Sequence, residues 1–360
     1  MLIAAARSGE FAMPVFLKPK YPDPDRRSGL NWPRVQPDAL EKSRSTILHI
    51  GLVNNMADAA MCATEHQFLR LLEVAAGDMQ VHFTLYSLPG VKRKPSGQRR
   101  VSSFYSSIEQ LWEQSPELSP DALIVTGREP LTSDLRAEAY WPSLKRVLRW
   151  TQENARSAIW SCLAAHAAVL ALDGIERVRS QHKHFGIFTC EHVQPHALLR
   201  GVPAPLSVPH SRWNTLSTSK LAGKGYQVLT RTCEGDADIF IKQDAGLSVF
   251  FQGHPEYEAA TLVAEYRRDI RRYLKGEIET YPLLPQDYFK EETECLLREI
   301  EARARASRQE NIFGEVSAVF NLVQIHNTWR STAAIIYRNW LEHLCMQKRH
   351  AGKFLSGMEA

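Results

Sequence analysis

The chain has 360 residues, 44 basic against 40 acidic side chains, a formal net charge of +4, 44% hydrophobic residues and 23% charged ones. That balance is ordinary for a soluble globular protein and gives no reason to expect nucleic acid or an anionic membrane as a partner. No apolar run reaches the roughly 18 residues that cross a bilayer. The six cysteines, at 62, 162, 190, 233, 295 and 345, include no C-x-x-C pair, so no metal knuckle or disulfide framework is expected and a reducing cytoplasm is the expected compartment.

Residues 1–45 are rich in Pro, Arg, Asp and Lys and read as an extended N-terminal arm. The opening "MLIAAARSGEFAMPVF" lacks an export core, and Met13 is an alternative start. Structure is expected from "ILHIGLV", a buried parallel strand by composition. "ATEHQFLRLLEVAAG" reads as a helix capped by Thr64, with Phe68, Leu69, Leu71 and Leu72 as its apolar stripe. "MQVHFTLYSL" follows as a strand, "VSSFYSSIEQLWEQ" as one helix, "PDALIVTG" as a strand, "AYWPSLKRVLRWTQEN" as a helix, "RSAIWSC" as a strand and "LAAHAAVLALDGI" as a helix. "HFGIFTCEHV", "YQVLTRTCEG", "DADIFIKQD" and "GLSVFFQG" are strand-like, and "EAATLVAEYRRDIRRYLKG" is a long helix. The alternation predicts an α/β fold with a mainly parallel sheet flanked by helices. Residues 280–347 read as a C-terminal helical extension packing on the 46–347 domain, with a solvated charged helix at 291–309, aromatic core packing at 339–341, and 348–360 as a tail.

Cys162 sits where "RSAIW" passes into "LAAHAAVLAL". A strand, a sharp turn and a helix present a nucleophile, and the helix N-terminus favours a thiolate. Ser161 and Ala164 are small enough for a crowded turn, and Leu163 can offer its backbone N–H to an oxyanion. The stretch alone favours a small buried packing cysteine. Farther on, "GLSVFFQG" ends in His254-Pro255-Glu256. Parallel strands open their C-termini on one edge, so Cys162 and His254 are expected to face one crevice, with Glu256 orienting the ring. Read alone, His254 is equally a strand-end turn residue.

With these parts, "GHPEYE…LVAEYRRD", "HSRW", "KHFGIF", "AYWPSLKRVL", "FYSSIEQL", "TEHQFLRLL" and "WRSTAAIIYRNWL" together resemble the homoserine O-succinyltransferase family over about residues 47–347. The resemblance implies a fold like that of class I glutamine amidotransferases (flavodoxin-like). It also implies a ping-pong transfer of an acyl group from succinyl-CoA or acetyl-CoA, as co-substrate, to the hydroxyl of L-homoserine, an early step of methionine synthesis. It places Cys162 at the nucleophile, His254 at the general base and Glu256 at its orienter. Arg268 stands at the arginine that holds the amino-acid carboxylate, and Lys183 and Ser211 at positions lining the substrate and coenzyme A site. No tightly bound cofactor or metal is expected, and a homodimer is the expected oligomer.

The chain departs from the family pattern around the acyl group. The loop "NNMADAAMCATE" has Ala57 where proline is usual, and it lacks the usual lysine. "TGREPL" puts Leu131 near the position linked to acyl choice, while Arg128 offers a partner for a succinyl carboxylate. His166, four residues after Cys162, stands where glutamine is usual and reads either as a core histidine or as a second titratable group. Three other readings stay open: a serine O-acyltransferase, a cysteine amidotransferase or hydrolase, and a degenerate ligand-binding homologue.

Overall fold

The computed structural model describes residues 15–17, 47–113 and 119–358, with side chains to residue 350. Among the described residues, the first elements are strands β1 (Val15–Leu17) and β2 (Leu48–Val53), helix α1 (Asp58–Ala76) and strand β3 (Val81–Tyr86). Helices α2 (Pro95–Phe104) and α3 (Gln110–Glu113), strand β4 (Ala122–Thr126), helix α4 (Trp141–Asn154), strand β5 (Ser157–Ser161) and helix α5 (Leu163–Asp173) follow. Then come strands β6 (Val178–His192) and β7 (Leu206–Thr215), helix α6 (Thr218–Ala222), and strands β8 (Gln227–Val228), β9 (Thr230–Thr232), β10 (Ile239–Gln243) and β11 (Leu247–Phe251). Helices α7 (Thr261–Leu274), α8 (Glu291–Ala306), α9 (Ile312–Leu322) and α10 (Arg330–Met358) complete the described chain.

Among the described residues, eight strands form one sheet in the order β1-β3-β2-β4-β5-β11-β10-β8. Pairing is parallel from β1 across to β11, and antiparallel from β11 to β10 and from β10 to β8. Both faces are covered, which is why these strands are apolar at successive positions rather than alternating with polar ones. Ile50, Ile124 and Ile159 turn to a core shared with Phe68 and Leu72 of α1 and Tyr337 and Trp340 of α10. Leu123, Val125, Ala158 and Trp160 turn to the opposite core, with α4 and α5. A third core joins α7, α8 and α9 around Tyr266, Ile270, Leu297 and Val316.

The C-terminal extension is therefore part of the packing. Trp340, buried in α10, donates from its indole to the Ser157 hydroxyl of β5 at 2.9 Å. Burying such a side chain stabilises by about 2–3 kcal/mol. A second, antiparallel sheet, β7-β6-β9, stands apart. It pairs Phe185 with Ser211 and Gly186 with His210, and its register shifts between Arg179 and His184.

Several expectations are corrected. The arm supplies β1, because Val15 is apolar, buried and paired with Val81; the rest of residues 1–45 lies outside the described residues. Thr64 is interior to α1, which begins at Asp58, since "DAAMCA" contains good helix formers and an acidic residue in the first turn. The helix expected over 101–114 is split. Tyr105 and Ser106 are extended, with Ser106 N–H bonded to the Leu85 carbonyl and the Tyr105 hydroxyl bonded to Glu65. Serines flanking that point have weak helix propensity, so the tertiary contacts win. Strand β7, which carries Ser211, and helix α9 were not anticipated. The tail is helical, because α10 runs on to Met358; Lys348 anchors it, bonding Asp121 at 2.7 Å and the Ile47 carbonyl at 2.8 Å.

Candidate active site

β5 ends at Ser161, and Cys162 turns the chain with φ 50° and ψ −113°, outside the ordinary range for a residue with a side chain. Such a conformation costs on the order of 1–3 kcal/mol and persists only where its surroundings enforce it. Here the Cys162 N–H is bound to the Phe251 carbonyl of β11 at 2.7 Å, while its own carbonyl accepts from Ala165 and His166 and starts α5. Gly127, after β4, leaves room for the turn: a Cβ there would lie 2.5 Å from the Leu163 Cβ and 2.8 Å from the Ala164 nitrogen. The half-buried thiol therefore sits at the first amides of α5, which as N-terminal helix donors have no acceptor within the helix. Leu163 contributes one of them.

β11 runs parallel to β5, with Phe251 opposite Ser161. The strands' ends thus bring His254 to the elbow. Its N–H is bound to the Pro209 carbonyl at 2.8 Å, its ring stacks on Tyr257 at 4.2 Å, and Nδ1 meets Glu256 Oε1 at 2.9 Å. Burial by itself pulls the imidazole down. The nearby charges of Cys162 and Glu256, with the Glu256 hydrogen bond to the ring, outweigh that and hold His254 well above the ordinary histidine range. Ser161 Oγ lies 3.4 Å from the same Glu256 oxygen.

Glu265 of α7 is the hub of an adjoining cluster. Its two oxygens accept from the Tyr257 hydroxyl and the Ser211 hydroxyl, each at 2.6 Å. Lys183 lies 4.0 Å from Glu265 and 3.7 Å from Asp269, over the ring of Phe185. Burial lowers the Lys183 ammonium, and the two carboxylates counter this only in part. Arg268 spends Nε on Asp269 at 2.8 Å, which leaves its two terminal nitrogens for a bidentate carboxylate. The structure thus gathers Cys162, His254 and Glu256, and links Lys183, Ser211 and Arg268 to them through Tyr257, Glu265 and Asp269. The last three were missed by sequence reasoning. Tyr257 adjoins Glu256, and Glu265 precedes Arg268 by one helical turn, a spacing that puts both near one face.

The remaining candidates lie outside these contacts. Leu131 is 61% exposed, and it is the Leu131 backbone that is held, by Glu138 at 2.6 Å. Arg128 is half-buried near Tyr140, and its Nε is buried without a partner. His166 is buried in α5, and burial, with the Arg212 and Arg177 charges, pushes it down to about 3. It is a neutral core histidine at physiological pH. In the altered loop, the cation comes from Arg93, which donates to the Met56 carbonyl at 2.8 Å and the Asn54 carbonyl at 3.0 Å and pairs with Asp58. Cys190, His210 and Asp238 form a buried cluster beneath Gly253. Arg212 presses its Nε to His210 Nδ1 at 3.1 Å, so a second cation is disfavoured there and the cluster reads as a structural hydrogen-bonded group.

A thiol on a strained strand-to-helix turn, an imidazole at the next strand's end and a buried carboxylate behind it are the parts of cysteine-dependent acyl-transfer enzymes. A family model described as homoserine O-succinyltransferase matches residues 31–351, and the chain belongs to that family. A homoserine O-succinyltransferase of Rhodopseudomonas palustris is 44% identical over 311 residues, covering 86% of this chain and 92% of that protein. One of Bradyrhizobium japonicum is 43% identical, covering 89% and 98%. Among solved structures, a glutamine amidotransferase of Thermotoga maritima is 11% identical with a TM-score of 0.46 over 83% of this chain and 98% of that one. Another, of Methylobacillus flagellatus, is 15% identical with a TM-score of 0.47 over 83% and 95%. Among the described residues no helix is long and apolar enough to cross a membrane.

Proposed function

We propose that the protein moves a succinyl group from succinyl-CoA to the hydroxyl of L-homoserine through an acyl-Cys162 intermediate. His254 takes the thiol proton, and the thiolate attacks the thioester carbonyl. The tetrahedral oxyanion is met by the Leu163 N–H. Collapse breaks the carbon–sulfur bond to coenzyme A, and His254 returns the proton to the departing thiolate. The homoserine hydroxyl then loses its proton to His254 and attacks the acyl-cysteine, releasing O-succinylhomoserine and restoring the thiol. Glu256 fixes the ring and stabilises the imidazolium of each half-reaction. Arg268 takes the amino-acid carboxylate, with Lys183 and Ser211 lining the acceptor side. Arg128, one residue beyond the glycine that packs against the elbow, supplies the counter-charge for the distal succinyl carboxylate.

The observation that carries this reading is the Cys162 elbow at the end of β5 standing beside the end of β11, which leads into the buried His254–Glu256 pair. Family membership supplies the donor and the acceptor. Steady-state kinetics varying succinyl-CoA at fixed homoserine concentrations tests it. Parallel double-reciprocal lines are expected; intersecting lines, or turnover of glutamine in place of the thioester, overturn it. As part of the same reading, residues 46–347 act as one catalytic unit, and a homodimer in the cytoplasm is the working form.

A further inference from the structure

On its outer side, α7 borders an open groove of 720 Å³ lined by Arg267, Arg268, Arg271, Arg272 and Lys275, with Glu277 as the one carboxylate and Phe313 of α9 on its floor. Arg267, Arg271 and Lys275 recur every four residues, and so do Arg268 and Arg272, which puts like charges beside one another along the helix. Arg268 and Arg272 have carboxylate partners, in Asp269 and Glu277. Arg267, Arg271 and Lys275 have none among the described residues; the two guanidinium groups rest instead over the Phe313 ring, at 5.3 and 4.9 Å.

α8 shows what an ordinary solvated face looks like in this protein. Two of its arginines pair with glutamates one turn away, Arg298 with Glu294 and Arg305 with Glu301, and the third, Arg303, pairs with Glu315 of α9. The dipole of α7 favours cations in its last turn, but it does not reach Arg267 and Arg268. Three neighbouring cations kept without carboxylate partners make a surface suited to a polyanion.

The stripe also has a direction. At about 100° per residue, Glu265 and Asp269 lie on one face of α7, Arg267 and Arg271 on another, and Arg268 and Arg272 between them. The face of Glu265 is the one tied through Tyr257 to His254. From Glu265 to Lys275 the helix advances about 15 Å, so the charged stripe runs along the helix away from the level of Glu265.

We propose that this groove docks the phosphorylated adenosine end of the acyl-CoA donor, its pyrophosphate and 3′-phosphate lying on Arg267, Arg271 and Lys275, with the thioester led past Arg268 to Cys162. This rests on the acyl-CoA reading above. The test compares kcat/KM for succinyl-CoA and for succinyl-pantetheine, which lacks the nucleotide, in the wild-type chain, in Arg267→Glu/Arg271→Glu and in Arg267→Gln/Arg271→Gln. The wild type is expected to prefer succinyl-CoA by at least about tenfold, through KM and with strong salt dependence. The preference collapses in the Glu pair and falls partway in the Gln pair. In parallel, calorimetry with adenosine 3′,5′-bisphosphate is expected to show binding to the wild type and none to the Glu pair. An unchanged donor preference together with equal binding of the bisphosphate overturns the proposal. Failure of the wild type to turn over either donor would instead count against the acyl-transfer reading, and bisphosphate binding would then still decide the groove.

Discussion

Replacing Glu256 by Gln removes one charge and little else. The carboxylate stands 2.9 Å from His254 Nδ1, and both residues are buried. With charge centres about 4 Å apart and an effective dielectric of about 20, the pair is worth roughly 4 kcal/mol. A glutamine oxygen keeps a neutral hydrogen bond worth about 1 kcal/mol, leaving a loss of about 3 kcal/mol, or about two pKa units. The imidazolium of His254, now held well above its ordinary range, should lose that stabilisation and give a neighbouring thiolate less support. The assay is the rate of iodoacetamide alkylation of Cys162, followed by peptide mapping so that the exposed Cys62, Cys233 and Cys295 are resolved from it. At about pH 6–7 the variant should react between about tenfold and a hundredfold more slowly. The gap should close as pH rises through the unassisted thiol range near 8.5. His254 is a raised histidine. Its contribution to stability is full below about pH 6.5 and is lost as pH rises through the folded value. Superimposable alkylation profiles would refute the reasoning.

His166, pushed down to about 3, and His210, pushed down to about 4, are neutral in the fold and charged in the unfolded chain under acid. Stability should therefore fall as pH drops below about 6.5. His166→Gln should remove up to about 1.4 kcal/mol per pH unit of that slope, as read from urea unfolding at several pH values; an unchanged slope contradicts the assignment. Gly127→Ala should force the Leu163 turn outward, costing about 1–3 kcal/mol of stability and slowing Cys162 acylation more than tenfold with helix content preserved. Wild-type acylation in that variant would show that the elbow does not need the close approach.

The parallel half of the sheet was legible because strands buried on both faces are nearly continuous apolar runs, as in "ALIVT" and "SAIWS". The second sheet was only half legible: "HFGIFTCEHV" reads as a strand, but its partner "LSVPHSRWNT" contains a proline and mixed polar residues, and long-range pairing decided it. Cys162, His254 and Glu256 could be joined on paper because one strand edge gathers the C-termini of β5 and β11. Leu131 could not be placed on paper, since a loop wrapped around the Glu138 carboxylate turns that side chain outward. On paper His166 reads either way, and its surroundings bear on the choice: burial first, then Arg212 and Arg177, far apart in sequence, oppose its protonation. Glu265 looked like one more charge on a helix until Tyr257 and Ser211 converged on it from separate elements.

The covalent intermediate is the central claim, and intact-protein mass spectrometry reads it directly. Mixed with succinyl-CoA in the absence of acceptor, the wild-type chain should gain one succinyl group at Cys162. That mass should disappear on addition of L-homoserine, with O-succinylhomoserine released, and Cys162→Ala should never acquire it. No adduct on the wild type, or an adduct that persists in Cys162→Ala, would contradict the account.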